Sequence, residues 1–425
     1  MSTVSMKKSK MGSEYDLIVV GGGAAGMFSA GTAASGLDRV LLLERNGELG
    51  KKLRITGKGR CNVCNDCLPE DVLKNVPTGG KFLYSSIIRF PPERTKAFFE
   101  ELGVPLKTER GNRVFPVSDK AVDVRNALQQ WVIARGVEIR QGRADRLLVK
   151  NGCIEGVKAG GVSYYAPRVI LATGGLSYPG TGSTGDGYEL ARQAGHTVSA
   201  CTGSLVPLEL EGGCRTMAGL SLRNTGVTLW GRKKKPVYQD FGELLFMNYG
   251  VSGPTVLSAS CHFREADGPF VLELDLKPAL DEGKLDARLL RDFAEKKNET
   301  VYEGIRGLLP EQMVPLILDR AGIPTGTPVH DVTRQQRREI LNQLKHLRFA
   351  VTGKRPVEEA IITHGGVSLR EVDPSTMESK LMQGLYFAGE ILDCDAYTGG
   401  FNLQIAWSTG YAAGTSCGNP QKPVI

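Results

Sequence analysis

The sequence predicts an α/β fold in which a parallel-sheet nucleotide domain is interrupted by an inserted cap. Residues 16–26 run from an apolar strand-like stretch into a Gly-x-Gly-x-x-Gly turn and a small-residue segment suited to a helix. A second apolar run, Val40–Leu43, ends on Glu44. Alternating strands and helices fill residues 14–196 and return after Pro356, whereas the segment between has a different texture.

The positions at which the sequence pattern changes define the predicted domains. Residues 15–196 and 357–425 would form the discontinuous nucleotide domain, and residues 197–356 the cap. Within the cap, about 197–280 is rich in β-branched residues and turns, and about 281–356 has helical segments broken by prolines. Residues 1–14 are expected to be a disordered leader.

The glycine turn has the features of a pyrophosphate site. Gly21 permits the tight turn, Gly23 lets the backbone approach phosphate, and Gly26 allows the helix to pack closely on the strand. The helix that begins near Ala24 and Ala25 offers free N–H groups and a partial positive charge. Glu44, at the end of the second strand, is placed to accept hydrogen bonds from an adenosine ribose.

Composition agrees with a globular protein of two or three domains. Of 425 residues, 41% are hydrophobic and 23% charged, and the net charge of +7 does not indicate a nucleic-acid binder. Leu17–Leu37 carries no charge, but it contains six glycines and is too weakly hydrophobic to span a bilayer. We therefore expect a cytoplasmic protein without membrane association.

Nine scattered cysteines indicate reduced thiols rather than a disulfide framework. Cys61, Cys64 and Cys67 have a spacing that also occurs in iron–sulfur and zinc sites. No nearby cysteine supplies a fourth ligand, so we expect free thiols on a loop and no metal.

Several further elements are predicted in the first domain. Helical spacing covers Ala121–Arg135, and Val137–Arg140 has the pattern of a strand. The Asn151-Gly152 pair predicts a hairpin turn, and Arg168–Ala172 reads as a buried strand.

The cap and the C-terminal segment carry their own signals. Thr333 and Gln336 form a capping-box pattern at the start of the last cap helix. After the cap, Leu385–Ala388 is predicted as a strand. Gly399-Gly400 then precedes a small-residue helix from about Asn402 to Ala413.

Two strand-end motifs are similar to those of the two-dinucleotide-binding-domain flavoproteins, the glutathione-reductase-like superfamily. Ala172-Thr173-Gly174-Gly175 resembles the motif that passes the FAD. Tyr386–Glu390 resembles the motif that ends in Gly-Asp and holds the ribityl chain and pyrophosphate, here with Glu390 for the usual Asp.

Six ordered motifs narrow the resemblance to the YhiN/BaiN-like family of bacterial flavoproteins, from about Tyr15 to Gly414. They are residues 57–62, 177–187, 242–246, 252–254, 376–380 and 398–404. The resemblance implies a Rossmann-type FAD-binding domain with an inserted cap. Cys64 stands where the family usually has Thr, and His364 occupies a variable place and inherits no role.

The expected FAD contacts beyond the glycine turn and Glu44 follow from these motifs and from the charges around them. A basic run, Lys51 to Arg60, would face the pyrophosphate or the flavin ring, where positive charge stabilises the anionic reduced form; the alternative is a solvated basic loop. The helix that follows Gly400 would direct its N-terminus at the flavin C2 carbonyl. The full set is Arg45, Lys51, Lys52, Arg60, Cys61, Asn62, Ala144, Thr173, Gly174, Gly175, Gly389, Glu390, Gly400, Asn402 and Leu403.

A second glycine pattern, Gly180-x-Gly182-x-x-Gly185, is not interpreted as an NAD(P)H site. Pro179 precedes it, and no strand that ends on an acid follows at the right distance. NAD(P)H, the expected reductant, would therefore enter the substrate cleft, unless electrons come from another protein.

A flavin with a cap and no second nucleotide fold suggests reduction of a carbonyl-conjugated C=C bond by hydride from flavin N5. A protein acid would protonate the α carbon, and Tyr178, Tyr397 and Cys61 are the candidates, although each could merely pack near the ring. The family resemblance implies a 3-oxo steroid or bile-acid-type enone as substrate. The alternative substrate is a ribosomal RNA uridine, which would be reduced to dihydrouridine. Two more remote alternatives are an amine or aminoketone oxidase and an FAD-binding protein without catalysis.

Charge in the cap bears on this choice of substrate. Residues 197–356 hold 22 Lys or Arg against 19 Asp or Glu, a net charge of +3. Residues 232–235 form one basic cluster, and Arg334, Arg338, Lys345 and Arg348 would fall on one helical stripe, opposite Ile340, Leu344 and Leu347. Phosphate contact is one interpretation of these clusters. We favour an ordinary solvated face for the stripe, and we predict a small-molecule substrate rather than a nucleic acid.

Overall fold

The computed structural model describes residues 14–418, apart from the side chain of Glu265. The predicted leader, except Glu14, lies outside the described residues. Residues 14–202 and 362–418 belong to one compact unit (unit 1), and residues 203–361 form another (unit 2).

The strands and helices are numbered in chain order. The strands are β1 (Leu17–Val20), β2 (Val40–Glu44), β3 (Cys64–Asn65), β4 (Leu106–Glu109), β5 (Arg113–Pro116), β6 (Glu138–Gln141), β7 (Ala144–Lys150), β8 (Cys153–Ala159), β9 (Val162–Tyr165), β10 (Val169–Leu171), β11 (Thr202–Ser204), β12 (Leu208–Leu210), β13 (Ser221–Trp230), β14 (Pro236–Met247), β15 (Gly250–Ser252), β16 (Phe270–Asp275), β17 (Leu347–Lys354), β18 (Ile362–His364) and β19 (Leu385–Phe387). The helices are α1 (Ala24–Ala33), α2 (Pro69–Lys74), α3 (Gly80–Arg89), α4 (Pro92–Glu101), α5 (Ala121–Ala134), α6 (Asp186–Gln193), α7 (Pro254–Ser260), α8 (Glu282–Glu295), α9 (Val301–Arg306), α10 (Val314–Arg320), α11 (Arg334–Lys345) and α12 (Phe401–Gly418).

Unit 1 is built on a five-stranded parallel sheet with the order β19-β10-β1-β2-β6. Every residue of β1, β2, β10 and β19 is buried, which explains why these strands read as continuous apolar runs rather than alternating ones. The predicted Rossmann-type α/β fold is confirmed. Leu17–Leu37, the uncharged stretch near the start, forms β1, the glycine turn and α1.

Helices α1 and α12 pack closely against each other in unit 1. A Cβ added at Gly414 would lie 2.5 Å from the Ser29 carbonyl oxygen, and one at Gly410 2.9 Å from the Ala25 carbonyl oxygen. The Trp407 indole N–H donates to the Val63 carbonyl at 2.9 Å, which ties α12 to the segment before β3. Helix α12 begins at Phe401 and reaches Gly418, so it is longer than the predicted helix.

Two small antiparallel sheets complete unit 1, with the orders β3-β5-β4 and β7-β8-β9. The predicted turn lies between β7 and β8, where Asn151 and Gly152 have φ of 53° and 75°. Positive φ at both positions is what a type I′ hairpin requires.

Unit 2 is a closed antiparallel barrel with the strand order β12-β15-β14-β13-β16-β17 and with helices inserted in its sequence. Inward residues alternate along the strands, and the fully buried ones include Leu208, Val227, Leu229, Leu244, Phe246, Leu272, Leu274 and Leu347. The predicted division into a β part and a helical part is wrong at its end. Strand β17 lies in the segment expected to be helical, and it closes the barrel by pairing with β12 and β16.

The unit boundaries also differ from the predicted ones, because backbone pairing continues past the change in sequence texture. Ser199 N donates to the Gly366 carbonyl and Ser368 N to the Thr197 carbonyl, which keeps residues 197–202 with unit 1. At the other boundary, Ile361 N donates to the Leu205 carbonyl, and residues 357–361 stay with unit 2.

The predicted basic stripe does not exist as one surface. Helix α11 ends at Lys345, and Arg348 lies on β17. The Lys345 ammonium is 2.6 Å from Asp275 and also donates to two backbone carbonyls, and Arg348 lies 2.6 Å from Glu273. Ile340 and Leu344 are buried on the opposite face of α11, as expected, whereas Leu347, which is also buried, is the first residue of β17.

No helix of residues 14–418 is long and apolar enough to cross a membrane.

The capping box at α11 is present, and its removal should destabilise unit 2. Gln336 N donates to Thr333 Oγ1 at 3.2 Å, and Thr333 N donates to Gln336 Oε1 at 2.9 Å. Thr333→Ala should lower the free energy of unfolding by about 1 kcal/mol, because one N–H of the first turn loses its acceptor. Urea denaturation measures this loss, with Thr333→Ser as the control that keeps the hydroxyl. Equal stability of the Ala and wild-type proteins would contradict the prediction.

Candidate functional site

The glycine turn after β1 leaves open space at one position. At Gly21, where φ is 105°, a Cβ would lie 2.5 Å from the Ala172 carbonyl oxygen, and at Gly26 it would lie 1.8 Å from the Gly21 carbonyl oxygen. By contrast, no atom lies within 4 Å of a Cβ placed at Gly23, the N-cap of α1. Gly21 and Gly26 are thus required by the protein itself, whereas Gly23 leaves room for a ligand at the helix N-terminus. Ala24 and Ala25 form the first turn there.

Glu44 is buried at the end of β2 and braces the turn. Its Oε2 accepts from Gly22 N at 2.7 Å, and its Oε1 accepts from the backbone N and side-chain Nδ2 of Asn46, each at 2.7 Å. A carboxylate offers about four lone-pair positions, so three of them are used. One acceptor position of the carboxylate is therefore left for a further donor.

The ends of β10 and β19 lie next to this turn. A Cβ at Gly389 would be 2.7 Å from Ala25 Cβ, which places the second residue after β19 against α1. After β10, Thr173 Oγ1 is buried without a hydrogen-bond partner. Gly174 has a φ of 75°, and it lies beside Ser183. These residues lie at the carboxyl ends of parallel strands, where open α/β sheets bind their ligands.

Glu390 joins four segments of unit 1 in one polar cluster. Its Oε2 accepts from Lys52 Nζ at 2.7 Å. Its Oε1 accepts from Ser177 Oγ and from Thr363 N, each at 3.0 Å. The Lys52 and Glu390 side chains are only 22% and 16% exposed, so the pair is partly desolvated. Gly175 lies against this cluster, because a Cβ there would be 2.3 Å from Thr363 Oγ1.

The basic loop does not present an uncompensated cluster of charge. Arg60 donates to Glu109 and to Asp119 at 2.5 Å each and lies 4.1 Å over the Phe115 ring. Hydrogen bonds to these two carboxylates raise the pKa of its guanidinium.

The other basic side chains near the turn differ in their environments. Arg45 pairs with Asp186 at 2.9 Å, while Lys51 is partly exposed. Of the basic residues predicted to contact FAD, Lys52 is the one joined to the cluster at the strand ends.

Asn62 and Gly400 approach each other at the N-terminus of α12. Asn62 Oδ1 is buried without a partner, and it lies 2.9 Å from the position of a Cβ at Gly400. That Cβ would also lie 2.4 Å from the Cys64 carbonyl oxygen, so glycine is required by the close approach of two chain segments. An unpaired buried amide oxygen is costly unless a ligand donor completes it.

Three other predicted cofactor contacts are placed differently. The Asn402 side chain holds the preceding loop, accepting from Ala396 N at 2.9 Å and donating to the Ala396 carbonyl at 2.8 Å. Leu403 packs partly buried against the core of unit 1, and Ala144 is a buried core residue at the start of β7.

The three candidate acids differ in accessibility. Tyr178 is half-buried, with a φ of 53° at the start of the turn Pro179–Thr181. Tyr397 is half-buried between Asn402 and Asn75, and its N donates to the Asn75 carbonyl. Cys61 is completely buried, and burial raises the pKa of its thiol to about 12. A buried thiol of that pKa is poorly suited to exchange a proton with substrate.

The cysteine run lies around β3. Cys61 and Cys64 are buried, and Cys67 is partly exposed. Within residues 14–418, no three His, Cys, Asp or Glu side chains are arranged to hold a metal ion.

The second glycine pattern, which was not interpreted as a nucleotide site, lies against the segment that follows β2. The Thr181 carbonyl accepts from Asn46 Nδ2 at 3.0 Å, and a Cβ at Gly182 would lie 2.6 Å from the same amide nitrogen. Helix α6 follows at Asp186.

Sequence reasoning did not select three residues of this region: Thr363, His364 and Asp395. Thr363 Oγ1 accepts from Leu176 N at 2.7 Å, and the next residue, His364, has its Nδ1 3.0 Å from Asp395 Oδ1. The sequence did carry a signal for Thr363 and His364. These two polar residues end a short apolar run directly before Gly365-Gly366, and binding residues are often found where a strand passes into a loop.

Comparison with known proteins identifies the family. The HI0933-like protein Rossmann domain model matches residues 15–416. The 3-dehydro-bile acid delta(4,6)-reductase of Clostridium scindens is 32% identical over 410 residues, which are 93% of this chain and 97% of the relative. The ribosomal RNA dihydrouridine synthase of Haemophilus influenzae is 27% identical over 407 residues, 94% of this chain and 97% of the relative.

A solved structure supports the same fold. The 3-ketosteroid-delta4-(5alpha)-dehydrogenase from Rhodococcus jostii, solved with 4-androstene-3,17-dione, superposes with a TM-score of 0.53 at 17% identity. The match covers 97% of this chain and 99% of that one. The chain therefore belongs to the HI0933-like, or YhiN/BaiN-like, family of Rossmann-fold proteins, as its motifs predicted.

Proposed function

We propose that this protein is an FAD-dependent oxidoreductase that reduces a C=C bond conjugated to a carbonyl group, with a 3-oxo steroid or bile-acid-type enone as substrate. The observation that carries the proposal is the end-to-end similarity to a bile acid delta(4,6)-reductase, which covers 93% of this chain and 97% of that enzyme. NAD(P)H is the proposed reductant.

The residues of unit 1 fit FAD. Open space at Gly23 would receive the pyrophosphate, and the remaining acceptor position of Glu44 would take a ribose hydroxyl. Two buried oxygens without partners, Asn62 Oδ1 and Thr173 Oγ1, offer acceptors that a bound cofactor would complete. When bound, FAD supplies two-electron chemistry, taking up hydride from a nicotinamide and delivering it to carbon.

The protein's own groups would orient the cofactor. Glu390 has used three acceptor positions on Lys52, Ser177 and Thr363, which leaves one for a ribityl hydroxyl. Because carboxylates compensate Arg60 and Lys52, we assign much of the positive potential near the ring to the N-terminus of the 18-residue helix α12. Of the candidate acids chosen from the sequence, Tyr178 and Tyr397 remain accessible, whereas Cys61 is enclosed.

A ribosomal RNA uridine is the second candidate substrate, because a ribosomal RNA dihydrouridine synthase is similar over 94% of this chain. The charges of unit 2 give it less support. Lys345 is only 12% exposed and paired with Asp275, so it is not available to phosphates, whereas Arg348 is paired with Glu273 but remains 63% exposed. Residues 233–235 remain exposed at the turn between β13 and β14.

The assignment of the pyrophosphate site predicts the behaviour of Gly23→Val. The substitution should leave the fold intact, because no protein atom lies within 4 Å of the new Cβ. The branched side chain should nevertheless occupy the phosphate space and weaken FAD binding at least about tenfold. Flavin absorbance per protein and titration of the apoprotein with FAD measure this effect.

Gly307→Val is the matched control, since its Cβ also meets no neighbour and its φ is −70°. The control should copurify with wild-type amounts of FAD. A fully yellow Gly23→Val protein would show that the pyrophosphate does not lie at this turn.

The choice of substrate predicts the behaviour of a variant with Lys233, Lys234 and Lys235 all replaced by Gln. A small enone draws its binding energy from apolar enclosure, so turnover of a 3-oxo-4-ene steroid should be unchanged. If RNA is the substrate, binding should weaken, and each lost phosphate contact should reduce the log–log salt slope by about 0.7–0.9. The corresponding triple Arg variant, which keeps the charge, is the control.

Anaerobic reoxidation of the NADPH-reduced or NADH-reduced enzyme and salt-dependent RNA binding are the two measurements. Failure of the steroid to reoxidise the wild-type enzyme, together with salt-sensitive ribosomal RNA binding lost in the Gln variant, would replace the enone with RNA.

A further inference from the structure

His364 and Asp395 form a dyad in unit 1 that none of the assigned roles uses. His364 Nδ1 lies 3.0 Å from Asp395 Oδ1. The Asp395 side chain is completely buried, whereas that of His364 is 25% exposed. The other ring nitrogen, Nε2, has no hydrogen-bond partner among residues 14–418. A buried carboxylate therefore orients an imidazole whose second nitrogen is left to act on something else.

The other histidine of unit 1 shows what a structural role looks like. His196 is buried, its Nε2 lies 2.7 Å from Ser379 Oγ and its Nδ1 lies 3.2 Å from Glu371. Its Nε2 is thus hydrogen-bonded, its Nδ1 lies at ion-pair distance from a carboxylate without the geometry of a hydrogen bond, and Phe387 packs edge-on against its ring. His364 differs from it in exposure and in its unengaged nitrogen.

The dyad lies at the same edge of unit 1 as the proposed cofactor contacts. Strand β18 ends with Thr363 and His364, and Thr363 bonds to Glu390 through its backbone and to Leu176 through its hydroxyl. Asp395 follows Glu390 in the loop that leads to α12. Neighbouring residues of the chain thus connect His364 to the ends of β10 and β19.

We propose that His364 is the proton donor of the reaction and that Asp395 is its positioning residue; this inference rests on the proposed function. Bound reduced FAD would supply the hydride that forms a C–H bond at the β carbon. The imidazolium form of His364 would give its Nε2 proton to form the second C–H bond at the α carbon, which leaves the neutral ring with its Nδ1–H bonded to Asp395. The π bond breaks, the flavin is oxidised by two electrons, and His364 regains its proton from water. Reduction of a steroid enone and reduction of uridine share this requirement.

The test separates carbon protonation from electron transfer. Enzyme reduced anaerobically with dithionite is mixed with a 3-oxo-4-ene steroid or with ferricyanide, which takes electrons without protonating carbon. His364→Gln should slow reoxidation by the steroid ~10²–10⁴-fold and leave reoxidation by ferricyanide unchanged. Asp395→Asn should also slow the steroid reaction, by roughly 10²-fold or more, because the imidazole loses its orientation.

A second readout does not depend on turnover. In ¹⁵N NMR spectra of the histidine rings, neutral His364 should carry its proton on Nδ1, hydrogen-bonded to Asp395, and Asp395→Asn should abolish that preference. The chain has five histidines, and His364→Gln identifies the signal by its loss. Flavin content and circular dichroism establish that each variant is folded.

His330→Gln is the matched control. This histidine is 49% exposed and lies 3.6 Å from Asp331, but in unit 2 and with no role proposed for it. It should react like the wild type with both acceptors.

The outcomes distinguish the dyad from the proposed function. If the wild-type enzyme reduces the steroid and His364→Gln does so at the same rate, the dyad proposal is wrong, and Tyr178 or Tyr397 becomes the donor to test. If the steroid does not reoxidise the reduced wild-type enzyme, the substrate proposal is wrong, and the same variants are assayed on ribosomal RNA. Loss of dihydrouridine formation there would uphold the role of His364, and retained formation, or an inactive wild-type enzyme, would overturn it.

Discussion

The carboxylate of Glu390 is the contact on which the candidate site depends. It binds Lys52 from the segment after β2, Ser177 from the segment after β10, and the backbone of Thr363 from β18. A partly buried ion pair adds little net stability, because desolvation offsets its attraction. Breaking it would leave an unpaired buried charge, however, so the four segments are held in one arrangement. The pair thus fixes geometry more than it stabilises the fold.

Pairing with carboxylates also explains why an excess of basic residues in the sequence is a poor indicator of ligand-binding sites. Arg60 and Arg348 stood out in the sequence as candidates for flavin or phosphate contacts, yet each is bonded to carboxylates far away in the chain. A cation that is compensated in this way has a weak field beyond its partner, particularly in salt. Net charge over a segment therefore says little about where an anion binds.

The fold could be predicted largely from the sequence, because its signals are local. Apolar runs marked β1, β2, β10 and β19, and paired turn residues marked the β7–β8 hairpin. Strand β17 was not predicted, because its alternation of buried and exposed residues is short and directly follows a helix. Within the site, the glycine turn and Glu44 had readable patterns. The pairing of His364 with Asp395 depends on the end of β18 meeting a distant loop in space, for which no sequence spacing gives a signal.

The placement of β19 has a consequence for the order in which the chain can fold during synthesis. Unit 2 is continuous from residue 203 to residue 361, so all of its strands have been translated before the last segment leaves the ribosome. Unit 1 is not continuous, because β19 adds to the sheet beside β10 and α12 packs on α1. After its first apolar strands have been translated, more than half of the chain must therefore follow before the sheet of unit 1 is completed. A nascent chain halted within unit 2 would expose the edge of β10, where pairing with another chain begins aggregation.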